Sequence, residues 1–286
     1  MKKIDLHIHT SASDGDFSPK EIIDLAEKRG MKIIAITDHD TLAGIEEARD
    51  YAVNKNIEVT PGIEISCESE ELKLQDIHIL GLFVNQKNEE LNELVEKLKK
   101  ENLKQKEGII KNLRNLGFDI SIEEVKKEFG ESLSRPNIAK ILIKKYPEKF
   151  KEVMQVFHEL IGKGKKAFVE QRQALMDEAI KSIHSAGGVA ILAHPGIYID
   201  KSKELIEKFI KTSGDGIEVE YPYEIVRGIE KEMSDKLNKK FRGIAESKNL
   251  LISGGSDFHG PSVRAVEIGD KGIDDEEFKK LKDRVR

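Results

Sequence analysis

Apolar and polar positions alternate along this chain in two rhythms. Near the N-terminus, Ile4, Leu6 and Ile8 interleave with Asp5, His7 and His9, the two-residue period of a strand whose side chains take opposite faces in turn. Residues 18–21 (Ser-Pro-Lys-Glu) then read as an N-cap, a proline at the first helical position and a capping-box glutamate, predicting a helix to about Arg29 that stops at Gly30. An apolar run over 32–37 predicts a second strand, 41–54 a second helix, and 57–65 and 77–84 two further strands. Short apolar strands separated by amphipathic helices are the pattern of a parallel β/α architecture.

From residue 88 to about 166 the period becomes helical, with Leu91, Leu94, Val95 and Leu98, then Ile109, Leu113 and Leu116, among many lysines and glutamates. This stretch is expected to be a small helical insertion, packed beside the barrel and covering its mouth. The β/α rhythm resumes with a helix over 174–186, a strand over 189–193, a helix over 201–212, a strand over 216–220, a helix over 224–247 and a strand over 250–253. The implied division is a first barrel part at 1–87, the helical insertion at 88–168 and a second barrel part at 169–286.

Composition narrows the setting. A chain of 286 residues suffices for one large α/β barrel or two modest domains. Charged residues make up 35%, with a net charge of -5, which argues against nonspecific adhesion to nucleic acid or to an anionic membrane. Cys67 is the only cysteine, so neither an internal disulfide nor a thiolate metal cluster can form. No apolar run approaches the roughly 18 to 20 residues of a membrane span, and no signal sequence precedes the first strand, so a cytoplasmic location is expected.

The candidate chemistry lies where strands end. His7 and His9 share a face, which suits a metal as well as it suits an ordinary histidine pair. Their neighbours weight the choice. Of eight histidines, six (His7, His9, His39, His78, His194 and His259) lie in or beside predicted strands, and Asp14, Glu64 and Asp257 recur at comparable positions. In a parallel barrel the strand C-termini converge on one face. Nine oxygen and imidazole ligands are too many for one catalytic ion, so two or three divalent ions are expected. A sulfur-free set suits Mn, Fe or Zn. Asp38 and Asp40 are expected to orient imidazoles from behind. His158 and His184 receive no role.

The motifs Asp5-Leu6-His7-Ile8-His9, Thr37-Asp38-His39-Asp40, Gly62-Ile63-Glu64, His78, Leu192-Ala193-His194-Pro195 and Ser256-Asp257-Phe258-His259 resemble, in order and spacing, the PHP superfamily, named for polymerase and histidinol phosphatase. The resemblance implies an α/β fold, a distorted TIM-like (β/α)7 barrel with a small inserted helical domain and a trinuclear metal centre. By analogy His7, His9, Glu64 and Asp257 hold one ion, Glu64, His78 and His194 a second, and Asp14, His39 and His259 a third. Catalysis would fall to a metal-bound water supported by Glu64, Asp257, His39 and His259.

Within the superfamily, residues 134–139 (Ser-Arg-Pro-Asn-Ile-Ala) and 164–169 resemble a branch acting on 3′,5′-nucleotide bisphosphates and trimming short RNA from its 5′ end. That likeness implies a nucleotide or short oligoribonucleotide substrate, contacts to it from Arg135 and Asn137, and no obligate protein partner. Two departures touch the expected substrate contacts: Asn137 replaces a common histidine, and Glu220-Tyr221-Pro222 stands where the branch has an Asn-Pro pair. Rival readings are a histidinol-phosphate phosphatase, an amidohydrolase and a noncatalytic metal- or nucleotide-binding module. An amidohydrolase would normally present a bridging lysine where this chain has Glu64.

Overall fold

The computed structural model describes residues 3–130 and 133–285. Eight strands form one sheet, seven of them in the order β1 (Ile4–Ile8), β2 (Ile33–Ile36), β3 (Glu58–Ser69), β4 (Leu74–Leu82), β6 (Val189–Leu192), β7 (Gly216–Glu220) and β8 (Leu251–Gly254). The two-residue β5 (Ala174–Leu175) pairs off this path with β3. The run curls back on itself: Ile8 bridges Phe258 just beyond β8, the Asp257 N–H donates to the His7 carbonyl at 2.9 Å, and the His9 N–H donates to the Phe258 carbonyl at 2.9 Å. The result is a distorted barrel. Gly255 permits this seam, because a Cβ there would sit 2.4 Å from His7 Cβ and 2.5 Å from His7 N.

One strand, β4, departs from the parallel expectation in both of its pairings. β3 and β4 are antiparallel, and β4 is antiparallel to β6. The connection between β3 and β4 is too short for the crossover that parallel strands need, so the chain can only turn back as a hairpin. Because β4 runs in reverse, the N-terminal half that carries His78 meets the C-terminal end of β3.

The helices follow their sequence signals closely. α1 (Pro19–Lys28) has the expected capping box, with the Ser18 hydroxyl accepting from the Glu21 N–H and the Glu21 side chain accepting from the Ser18 N–H. α2 (Ala43–Ala52) covers β2 and β3, α7 (Met176–Ser185) packs on β6, and α8 (Ser202–Lys211) buries Leu205, Ile206 and Phe209 in the barrel's apolar shell. The helix expected over 224–247 is broken into α9 (Tyr223–Val226) and α10 (Lys231–Lys248), with Gly228 between them at φ +61°, a left-handed value that glycine adopts without strain. A last helix, α11 (Asp275–Lys282), buries Phe278 and Leu281 and was not anticipated.

The helical stretch comprises α3 (Glu89–Asn115), α4 (Ile122–Phe129), α5 (Arg135–Lys145), α6 (Val153–Val156) and a π-helical turn at Phe157–Ile161. α3 has 27 residues, about 40 Å at 1.5 Å per residue. Its two halves serve different cores. Leu91, Leu94, Val95 and Leu98 pack into the barrel's apolar shell, whereas Ile109, Ile110 and Leu113 join Val125, Ile138, Leu142 and Phe150 in a separate cluster. α3 thus ties a second hydrophobic core to the barrel. Among the described residues no helix is long and apolar enough to cross a membrane.

Candidate metal centre and the cavity above it

All nine residues expected as ligands meet at one end of the barrel. β1 delivers His7 and His9 with their Nε2 atoms 3.1 Å apart. Glu64, fully buried on β3, is the hub: its Oε2 lies 3.3 Å from His7 Nε2, 3.1 Å from His9 Nε2 and 3.1 Å from His39 Nδ1. Its Oε1 lies 3.0 Å from His78 Nδ1 and 3.1 Å from His194 Nε2. Asp257 Oδ1 stands 3.4 Å from His7 Nε2 and 3.3 Å from His9 Nε2, and Asp14 Oδ1 stands 3.3 Å from His259 Nε2. Backbone strain accompanies this convergence: Asp40, His194 and Asp257 all have positive φ, at 53°, 31° and 54°.

Donor atoms within 4.8 Å of one another fall into three groups: His7, His9, Glu64 and Asp257; His39, Glu64 and His78; and His9, Asp14, His39 and His259. The first is the quartet implied by the family likeness. In the second, His39 stands with Glu64 and His78 where His194 was expected, His194 meeting the set only through its Nε2 3.1 Å from Glu64 Oε1, and in the third His9 joins Asp14, His39 and His259.

The chemistry of this donor set fits cations. Five imidazoles converge on one carboxylate, more than its two oxygens can serve by proton sharing. Burial has left His9 Nδ1, His39 Nδ1, His194 Nδ1 and Glu64 Oε2 without a hydrogen-bond partner, a costly state for atoms that carry lone pairs. The rings also crowd, His9 and His259 stacked with centroids 3.9 Å apart and His9 and His39 tilted with centroids 4.5 Å apart, so full protonation would set like charges in contact. The electrostatics split them instead. Burial pulls His9 down, but the Asp257 and Glu64 carboxylates prevail and lift it to about 9, whereas burial takes His39 down to about 3 despite Glu64 and Asp14. Glu64 itself is held well below the usual carboxylate range: burial opposes this, but His39, His7 and His78 outweigh it.

Behind the donors lie Glu218 and Arg264, which the sequence motifs do not mark, and Tyr221, which lies in one of the two departures. Glu218, fully buried on β7, places Oε1 3.0 Å from His7 Nδ1 while its Oε2 accepts the His194 backbone N–H at 2.8 Å. An acid in the middle of the short apolar strand Gly216–Glu220 was the available signal. Tyr221 donates its hydroxyl to Asp257 Oδ2 at 2.6 Å, and Arg264 pairs with the same oxygen. Tyr221 therefore gives one of the two sequence departures a definite contact. Asp38 and Asp40 do not orient imidazoles by hydrogen bonds. Asp38 accepts from the Thr10 N–H, the Thr10 hydroxyl and the Ser13 hydroxyl, and Asp40 accepts from the Ser66 N–H, because both carboxylates are committed to loop and strand backbone beside them.

The centre opens into a cavity of about 1610 Å³ between the barrel and the helical stretch. Asp14, His39 and His78 line one side, and Lys106, Arg135 and Lys140 are among the residues lining the rest. Arg135 begins α5 after the Ser134 N-cap and lies 5.4 Å from the Phe157 ring centroid. Asn137 is on the same first turn but is 5% exposed and is not among the cavity-lining residues. His184 lies away from the centre, 2.7 Å from Asp215 Oδ2.

Comparison with known proteins agrees with this geometry. Residues 5–222 match the PHP domain, and the chain belongs to that family. A 5′-3′ exoribonuclease of Haemophilus influenzae is 34% identical over 276 residues, covering 96% of this chain and 95% of that protein. A 3′,5′-nucleoside bisphosphate phosphatase of Chromobacterium violaceum is 30% identical over 282 residues, covering 94% of this chain and 91% of its own. Among solved structures, a provisional metal-dependent phosphoesterase of Bifidobacterium adolescentis superposes with a TM-score of 0.86 at 25% identity, over 100% of this chain and 97% of that one.

Proposed function

We propose that this protein is a metal-dependent phosphoesterase that hydrolyses phosphate esters of nucleotides, acting on a 3′,5′-nucleoside bisphosphate, on the 5′ end of short RNA, or on both. The observation that carries this reading is Glu64, a single buried carboxylate within 3.3 Å of nitrogens from five histidines, with one oxygen lacking any hydrogen bond. Such a hub suits a carboxylate that bridges divalent cations.

The ligands would be His7, His9, Glu64 and Asp257 for one ion, Glu64, His78 and His194 for a second, and Asp14, His39 and His259 for a third, with Mn, Fe or Zn suited to the set. Bound there, divalent ions would activate water as a nucleophile and neutralise charge on the phosphoryl oxygens. The protein's own groups would do the positioning. Glu218 holds the His7 ring from its far nitrogen, and Tyr221 and Arg264 hold the outer oxygen of Asp257. Arg135 would grip a substrate phosphate through its guanidinium fork. Asn137, buried in the same turn, would act by supporting that turn. The helical unit over 88–168 would serve as the lid that excludes water from the site.

Comparable relatives name nucleotide chemistry, and the cavity is roomier than an amino-alcohol phosphate requires, which favours this reading over a histidinol-phosphate phosphatase. Phosphate release from adenosine 3′,5′-bisphosphate and histidinol phosphate, and mononucleotide release from a 5′-phosphorylated oligoribonucleotide, measured with Mn, Fe and Zn in turn, test it. Turnover of the nucleotide substrates is expected. Exclusive turnover of histidinol phosphate, or none at all with any metal, would overturn the reading.

A further inference from the structure

His7 and His194 both face Glu64, but only His7 is held from behind. The His7 ring has Glu218 Oε1 3.0 Å from its far nitrogen. His194 Nδ1, by contrast, is buried without a hydrogen-bond partner, while its Nε2 lies 3.1 Å from Glu64 Oε1. Most metal-binding imidazoles are oriented through their second nitrogen. For His194 the backbone must do it. That backbone is strained: His194 sits in the left-handed region at φ 31° and ψ 57°, and the β-branched Ile199, five residues on, has φ 38°. Two such residues in one turn persist only where the surrounding groups over-determine the chain.

The surrounding groups are two tyrosines and an arginine outside the donor set. The Gly196 N–H donates to the Tyr223 hydroxyl at 2.9 Å, and Arg227 Nη1 donates to the Gly196 carbonyl at 2.8 Å. Only glycine fits there, since a Cβ would lie 2.6 Å from the Tyr223 ring. Further along the same turn, the Tyr198 hydroxyl accepts the His78 N–H at 2.9 Å and donates to the Asp76 carbonyl at 3.2 Å. The turn after β6 therefore carries His194 and also pins the strand that supplies His78. Tyr198, Tyr223 and Arg227 are not among the residues lining the cavity, so they act on the centre from outside it.

We infer that Tyr223 and Arg227, acting through Gly196, and Tyr198, acting through the His78 backbone, are positioning residues for one ion only, the one assigned to Glu64, His78 and His194. The inference rests on the metal-dependent phosphoesterase reading and deepens it by naming what sets the occupancy of one site. The ligands of the other two ions come from β1, β3 and the segments after β1, β2 and β8, whereas this brace acts on β4 and on the turn after β6. Tyr223 directly follows Glu220-Tyr221-Pro222, where the chain departs from its branch, so the brace is a device of this sequence.

The test titrates Mn by calorimetry into full-length, chelator-stripped wild type, Tyr223→Phe, Arg227→Met, Tyr198→Phe and His78→Ala. The first three variants keep most of the side chain's bulk and remove its hydrogen bond. His78→Ala marks the site by abolishing it. Each of the three is expected to weaken that same equivalent of Mn about ten- to a hundredfold and to leave the others within about threefold of wild type. Arg227→Lys should recover part of the loss, because an ammonium still donates to the Gly196 carbonyl. Combined with His78→Ala, Tyr223→Phe should add nothing further. Unchanged Mn affinity in the three variants, an equal loss across every equivalent, or no equivalent lost in His78→Ala would overturn the positioning role while leaving the phosphoesterase reading standing. Wild-type protein that binds no Mn overturns both. Arg227 is exposed, so Arg227→Met decides the matter should Tyr223→Phe fail to fold by circular dichroism.

Discussion

Glu218 and His7, 211 residues apart in the chain, meet inside the barrel with Oε1 3.0 Å from Nδ1, and neither side chain reaches solvent. This contact fixes which ring nitrogen His7 turns toward Glu64 and Asp257. Carboxylates placed behind metal-binding imidazoles typically change metal affinity ten- to a hundredfold when removed. Glu218→Gln, nearly the same shape, is therefore expected to weaken Mn binding by about that factor with the fold retained. Isothermal titration of metal into chelator-stripped protein measures it, and wild-type affinity in the variant would show that His7 needs no such partner.

Glu64 should be less forgiving. Replacing it with glutamine removes the charge on which five imidazoles converge. Activity is expected to fall roughly a thousandfold or more, the scale of several kcal/mol of lost transition-state stabilisation. A second readout separates this from misfolding. Wild-type protein should gain about 2.7 kcal/mol of stability when metal is supplied at a hundred times its Kd, and Glu64→Gln should lose most of that gain. Chelation should bring the two proteins close together in melting temperature.

Gly255 carries the third prediction. A methyl group there would press against His7 Cβ at 2.4 Å and against the His7 nitrogen at 2.5 Å, at the seam that closes the barrel. Backbone on both sides leaves little room to yield. Gly255→Ala is expected to cost about 1 to 3 kcal/mol, the range for forcing extra volume into a packed interior, and to displace His7 from the centre. Denaturant unfolding with a parallel metal titration checks both, and an unchanged midpoint with unchanged affinity would mean that the seam is looser than its distances indicate.

Much of this was legible in the sequence, for reasons that particular residues make clear. The two-residue period of Ile4, Leu6 and Ile8 set His7 and His9 on one face, and Ser18 with Glu21 announced α1, because both signals are local. The β3–β4 hairpin escaped because apolar periodicity reports that a strand exists and says nothing of its direction; the short link between them held that information. Asp38 and Asp40 looked like supports for His39 by adjacency alone, yet their side chains turn to Thr10, Ser13 and Ser66. Glu218 and Lys106 act by being buried, and burial of a single charged residue leaves no periodic trace.

Lys106 gives the last prediction, through its proton. Burial, assisted by the charge on Arg135 and opposed by Asp40 and Asp14, lowers its ammonium from the usual 10.5 to about 7. Between those values the unfolded chain holds a proton that the folded chain has released. Stability therefore rises with pH across this window. Lys106→Met lacks the proton in both states, so wild type should gain on the variant as pH climbs from 7 toward 10, at a slope approaching about 1.4 kcal/mol per pH unit. Urea unfolding of metal-free protein at pH 7, 8 and 9 reads the difference directly. Adding phosphate at high concentration should flatten it, because an anion beside the ammonium stabilises the charged form and returns its pKa toward that of the unfolded chain. Wild type and variant following parallel curves would mean that the Lys106 ammonium is solvated and that its burial imposes no electrostatic cost.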